Sequence, residues 1–122
     1  MLEEKLDVLV VADVIDEDTK KYILKASDFF QNEMKINDET KVEVFLIHLA
    51  IAESRRRKNE VLDAKMEEII RNEVNNHHNF AECKEVWSRL SNYIGEEVYS
   101  ENELEFIYLH LLNLLEGDKD VS

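Results

Sequence analysis

The scarcity of turn-forming residues constrains the fold of this chain more than any other feature. Its 122 residues include no proline and only two glycines. An all-β sandwich needs many tight turns, and those turns depend largely on glycine and proline. Hydrophobic residues make up 44% of the chain, which is enough apolar side chain to form one core. The sequence therefore predicts an all-α protein with a single domain.

The charge balance and the single cysteine limit the partners and the compartment. The chain has 28 acidic and 15 basic residues and a formal net charge of -13, so it repels phosphate backbones. No run of about 18 apolar residues is present, as a membrane-spanning helix would require. Cys83 has no second cysteine to pair with, so no oxidising compartment is implied. We expect a cytoplasmic protein that contacts neither nucleic acid nor membrane directly.

Apolar periodicity predicts five helices that form an antiparallel bundle. They cover about 16–33, 37–58, 63–74, 80–94 and 100–115. Residues 1–15 form an N-terminal arm, whose valine-rich centre is compatible with either a strand or a helix. The helical domain spans 16–115, and the polar residues 116–122 form a frayed tail.

The sequence makes specific predictions for two of these helices. In the third helix, the apolar spacing predicts that Ala64, Ile69, Ile70 and Val74 are core residues. At the start of the last helix, the sequence Ser-Glu-Asn-Glu at 100–103 fits a capping box. In such a box, the serine hydroxyl accepts from the backbone of Glu103, and the glutamate side chain returns to the serine backbone.

Two histidines occur with a charged residue at the same spacing. His48 precedes Arg55 by seven positions, and Glu103 precedes His110 by seven. Seven positions return a helical side chain to within about 20° of the same direction, so each pair shares a face. A neighbouring cation or carboxylate influences the charge state and tautomer of an imidazole. Simpler roles remain open: a histidine at the core edge, a capping glutamate, and a histidine beside the leucine stripe.

The two histidine segments resemble a known family. Segment 45–55, FLIHLAIAESR, resembles the first histidine motif of the PTS regulation domain (PRD), and segment 103–110, ELEFIYLH, resembles the second. The resemblance extends from the first predicted helix to Leu115. It implies a five-helix all-α domain, often dimeric, with both histidines in a shared pocket.

The resemblance also implies a function. Histidines of the family accept phosphoryl groups from components of the bacterial sugar phosphotransferase system. The donors are the histidine-containing phosphocarrier protein and the B component of enzyme II. By position in the motifs, His48 and His110 would be the phosphoacceptors, Arg55 would lie close to the phosphate, and Glu103 would match the acidic residue of the family.

This chain departs from the usual family arrangement. Family members are commonly antiterminators or transcriptional activators with two such domains and a nucleic-acid-binding module, whereas this chain accommodates one domain. We therefore expect the phosphorylation signal to reach transcription or metabolism through a partner protein or a homodimer. The alternative is a helical dimerisation or interaction module that has the PRD fold but is not phosphorylated.

Other chemistries have weaker support in the sequence. A metal site at His77, His78 and Cys83 lacks a fourth ligand with zinc spacing. A small metal-dependent protein that uses His48, His110 and neighbouring carboxylates is a third hypothesis for the function.

The basic run 55–58 fits the end of a helix, where cations interact favourably with the helix dipole. Trp87 is expected in the core. No glycine-rich phosphate loop or nucleophile elbow is visible, so the sequence predicts neither an enzyme nor a cofactor.

Overall fold

The computed structural model describes residues 2–36, 38–95 and 99–119. Within them the chain forms six α-helices and one π-helical turn, which confirms the all-α fold class. The helices are α1 (Leu2–Val11), α2 (Glu17–Asp28), α3 (Glu39–Arg57), α4 (Glu68–Asn75), α5 (Phe80–Ile94) and α6 (Glu101–Lys119), and the π-helical turn is Phe29–Glu33. None of the helices in this part of the chain combines the length and apolar character needed to cross a membrane.

The additional helix, beyond the five expected, comes from the N-terminal segment. Its valine-rich part is helical, and the fully buried apolar residues of the segment are Leu6 and Ile15, which are 0% and 2% exposed. Helix α1 packs on α2, and the hydroxyl of Ser54 donates a hydrogen bond to the carbonyl of Val14 at 2.7 Å. The segment 2–15 is therefore integrated into the core and fixed to α3.

Side-chain caps define where the helices begin. Asp16 accepts from the backbone N–H of Thr19 at 2.7 Å, and Asp38 accepts from that of Lys41 at 3.1 Å. Asn37, where the second predicted helix begins, lies outside the described residues. The hydroxyl of Ser100 accepts from the N–H of Glu103 at 3.3 Å, so this half of the predicted capping box is present.

Helix α3 is the central element of the bundle. It packs most extensively against α6 on one side and α2 on the other, while α5 contacts both α2 and α6. In the π-helical turn the N–H of Met34 donates to the carbonyl of Phe29, five residues earlier. The largest fully buried apolar side chains include Phe30, Phe45, Leu6, Ile23, Leu46, Leu49, Leu90, Leu111 and Leu114.

The prediction for the third helix is wrong in its first turn and in most of its core positions. Helix α4 begins at Glu68 rather than near 63, and Ala64, Ile69 and Ile70 are exposed, whereas Val74 is buried. Met66, in the preceding loop, is 6% exposed and occupies the core position instead. At its C-terminal end, α6 continues past 115 to Lys119, and 120–122 lie outside the described residues.

Candidate functional site

Helices α3 and α6 bring the two histidine motifs together in antiparallel register. His48 lies against His110, and Arg55 binds Glu103. The equal spacing of seven in both motifs therefore produces two polar contacts between the same pair of helices. At 1.5 Å per residue they are about 10 Å apart along the helix axis. The rest of this interface is largely apolar, with Phe45, Leu49, Ala52, Ile107, Leu111 and Leu114 all buried.

The two imidazole rings are stacked face to face. Their centroids are 3.7 Å apart and their planes differ by 10°. The ring of His48 is exposed, whereas His110 is half-buried. One histidine of the pair is thus open to an approaching protein, and the other forms the inner wall of the site.

Two shallow clefts flank the stacked histidines, and both contain Thr40 and Val44. The cleft beside His48, about 260 Å³ in volume, also includes Lys5 from α1. The cleft beside His110, about 220 Å³, also includes Lys41. Each histidine therefore has a lysine in its adjacent cleft.

The surroundings of His110 keep its imidazole neutral at physiological pH. Burial and, as the smaller cause, the nearby His48 ring lower the pKa of His110 to about 4. A neutral imidazole has a ring nitrogen with a free lone pair, which a nucleophile requires. His110 is therefore chemically competent at neutral pH, although its exposure is lower than that of His48.

The second polar contact joins Arg55 and Glu103 through two hydrogen bonds. Arg55 Nε donates to Glu103 Oε1 at 2.6 Å, and Nη2 donates to Oε2 at 3.2 Å. The Glu103 side chain is 8% exposed and that of Arg55 is 30% exposed. This bidentate pairing binds Arg55, which the motif resemblance placed close to the phosphate, to a carboxylate on α6. It also engages the Glu103 carboxylate that a complete capping box, or an interaction with the His110 imidazole, would have used.

A buried carboxylate next to the site was not found by sequence reasoning. Glu53 is fully buried and accepts hydrogen bonds from Arg56 Nε and Nη2 at 3.0 and 2.7 Å, and from Arg57 Nε at 2.5 Å. The hydroxyl of Tyr99 donates to it at 2.6 Å and lies 3.0 Å from that of Tyr22. Burial opposes ionisation of this carboxyl, but hydrogen bonds from Arg56, Tyr99 and Arg57 outweigh it and keep its pKa below the usual range.

This cluster fixes the C-terminal end of α3. Tyr22 belongs to α2, and Tyr99 lies two residues before the start of α6, so Glu53 connects three parts of the bundle. The basic run 55–58 thus has a more specific role than interaction with the helix dipole. The sequence pattern that could have revealed this cluster is Glu53 followed by Arg56 and Arg57 three and four positions later. This spacing allows ion pairs along one helix.

The residues considered for metal binding have other contacts. His77 Nδ1 accepts from the N–H of Asn79 at 3.0 Å, and the rings of His77 and His78 are stacked with centroids 4.5 Å apart. Cys83 is buried, its thiol donates to the carbonyl of Tyr108 at 3.5 Å, and burial raises its pKa to about 12. Among the described residues no group of three or more histidine, cysteine, aspartate or glutamate side chains could bind a metal ion.

Trp87 lies in the core, as expected. It is 8% exposed, and its ring packs edge-on against Tyr99 at a centroid distance of 5.8 Å. It is therefore a packing residue behind the Glu53 cluster.

Comparison of the chain with models of protein families, with curated proteins and with solved structures finds no match. Function is therefore inferred from the geometry of the α3–α6 interface together with the resemblance of the two histidine motifs.

Proposed function

We propose that this chain is a cytoplasmic regulatory domain of the PRD type, reversibly phosphorylated on His48 or His110 by phosphotransferase-system components. The observation that carries the proposal is the stacking of these two histidines across α3 and α6, with one ring exposed. Two histidines about sixty residues apart in the sequence thus form one site. The domain would report sugar-transport status to transcriptional or metabolic regulation.

The chemistry of the site supports acceptance of a phosphoryl group. An imidazole nitrogen attacks the phosphorus of a donor phosphohistidine, and the resulting nitrogen–phosphorus bond is labile enough to pass the group on. Lys41 lines the cleft beside His110 and supplies positive charge near the incoming phosphate, whereas Lys5, in the cleft beside His48, is paired with Glu43. Electrostatic stabilisation of this kind matters in an acidic chain of net charge -13.

The Arg55–Glu103 pair would be part of the response to phosphorylation. Arginine binds phosphate through two parallel hydrogen bonds as readily as it binds a carboxylate. For Arg55 to contact a phosphate on His48, it must release Glu103 and turn back along α3. Such a change would alter the α3–α6 interface and thereby the surface offered to a regulator protein or to a second copy of the chain.

Phosphotransfer from purified components tests this function. The chain is incubated with phosphoenolpyruvate, enzyme I and the phosphocarrier protein, or with a phosphorylated B component. Intact mass is then measured at mildly alkaline pH. Wild type should gain phosphoryl mass, and the double variant His48→Gln/His110→Gln should gain none. The matched control, His77→Gln/His78→Gln, removes the other two histidines and should behave like wild type.

Two results would contradict the proposal. Phosphoryl mass retained by the His48→Gln/His110→Gln variant would place the acceptor elsewhere. No gain from either class of donor would leave the alternative, a helical dimerisation or interaction module without phosphorylation. Such a module would act by binding a protein partner.

A further inference from the structure

The stacked geometry restricts how many phosphoryl groups the site can carry. A ring nitrogen bonds phosphorus in the plane of its imidazole, because its lone pair lies in that plane. The planes of His48 and His110 are nearly parallel, with centroids 3.7 Å apart. A phosphoryl group is wider than an imidazole ring is thick, so two such groups on the same edge of the stack would overlap.

The charges around the site do not compensate two phosphoryl groups. In the cleft beside His48, Lys5 is already paired with Glu43, with Nζ and Oε2 2.9 Å apart. In the cleft beside His110 the cation is Lys41. Arg55 is engaged by Glu103 about two helical turns away. Each phosphoryl group adds close to two negative charges, so the second would face strong repulsion from the first.

The geometry points to a single-capacity acceptor: the His48–His110 pair accepts one phosphoryl group readily, and a phosphate on either ring strongly disfavours a second. This inference rests on the proposed function and specifies its stoichiometry. The exposed ring of His48 is the first to be reached. His110 becomes the acceptor when the stack opens or His48 is absent.

The transfer step is balanced without a further reactant. The lone pair of a neutral ring nitrogen forms the new nitrogen–phosphorus bond. The bond from phosphorus to the donor nitrogen breaks, and its electron pair stays with the donor. The acceptor ring then releases its remaining N–H proton to water. Nothing is oxidised or reduced, and one phosphoryl group changes its carrier.

Chemical phosphorylation with phosphoramidate tests the capacity without any protein donor. The background is the full chain carrying His77→Gln and His78→Gln, so that only His48 and His110 can be modified. Intact mass is followed at low ionic strength. We expect the parent to accumulate one phosphoryl group, with the second added at least about tenfold more slowly. In this background, variants with His48→Gln or His110→Gln should each accept one.

An unfolded control separates geometry from intrinsic reactivity. In concentrated urea the two histidines are far apart, and the parent should accept two phosphoryl groups at similar rates. Circular dichroism before labelling verifies that each single variant is folded. The inference would be overturned if the folded parent accepted two phosphoryl groups at the rates measured for the two single variants. It would also be overturned if the folded parent accepted none.

Failure of this inference is distinguishable from failure of the proposed function. Phosphoramidate labelling does not depend on recognition by phosphotransferase-system proteins. If phosphoramidate adds one phosphoryl group but the phosphotransferase-system proteins add none, the single capacity is supported and the proposed donors are wrong. If those proteins add two phosphoryl groups, the proposed function is supported and the single capacity is wrong.

Discussion

Acidification should destabilise this fold through His110. Burial and the adjacent His48 lower the pKa of His110 to about 4, from an ordinary value of 6.5. Between pH 6.5 and 4, His110 is therefore protonated in the unfolded chain but neutral in the folded chain. The free energy of unfolding falls as the pH is lowered through this range. At about pH 5 the unfolded-state pKa is about 1.5 units above the pH, which corresponds to about 2 kcal/mol. Partial exposure of the ring reduces the expected loss to about 1–2 kcal/mol.

Urea denaturation at about pH 7.5 and pH 5 measures this loss. The control is His110→Gln, which removes one titrating ring and leaves the other three histidines unchanged. The free energy of unfolding should fall by about 1–2 kcal/mol more in wild type than in the variant between the two pH values. Equal pH dependence of the two proteins would refute the assignment of a neutral, desolvated His110.

Three further predictions concern the residues around the site. Glu53→Gln should lower the free energy of unfolding by about 3 kcal/mol in urea, because the charge-assisted bonds to a buried carboxylate are lost; a loss below about 1 kcal/mol would contradict the buried cluster. A double-mutant cycle with Arg55→Met and Glu103→Gln should give a coupling energy of about 1–2 kcal/mol, and a value near zero would mean that the bidentate pair contributes nothing. Cys83 should react with a thiol reagent at about pH 8 roughly 10³-fold more slowly than an exposed thiol, because burial raises its pKa to about 12; reaction at the ordinary rate would contradict its burial.

The helical fold class was accessible from the sequence because it depends on local properties. A chain with no proline and two glycines forms long helices almost wherever apolar spacing allows, and the start of α6 was visible in the cap at Ser100. The secondary structure of the N-terminal segment, in contrast, could not be predicted from local properties. A valine-rich run contains no local signal to separate a buried strand from a helix, and burial of Leu6 in the bundle decides it.

The start of α4 shows where periodicity fails. Ile69 and Ile70 follow the apolar spacing of a helix, yet they are exposed because Met66 in the preceding loop fills the core position. Arg71 secures this arrangement by donating to the carbonyl of Met66 at 3.3 Å and by pairing with Glu105 on α6. Such tertiary contacts override local spacing and cannot be derived from the segment alone.

The resemblance implied a shared pocket for the two histidines, but the contact of Arg55 with Glu103 was not predicted. The spacing of seven indicated that His48 and Arg55 share a face, and likewise Glu103 and His110. Which residue meets which depends on the antiparallel register of α3 and α6, since a shift of one helical turn would separate them. The register instead joins histidine with histidine and arginine with glutamate.

Nuclear magnetic resonance of the imidazole nitrogens tests the central claim most directly. With four histidines in the chain, the ring signals of a ¹⁵N-labelled sample can be assigned from single histidine variants. After phosphorylation by the phosphotransferase-system proteins, a one-bond phosphorus–nitrogen coupling should occur at a ring nitrogen of His48 or His110. The signals of His77 and His78 should show no such coupling. A coupling confined to His77 or His78, or no coupling at any histidine, would contradict a phosphoacceptor site at the α3–α6 interface.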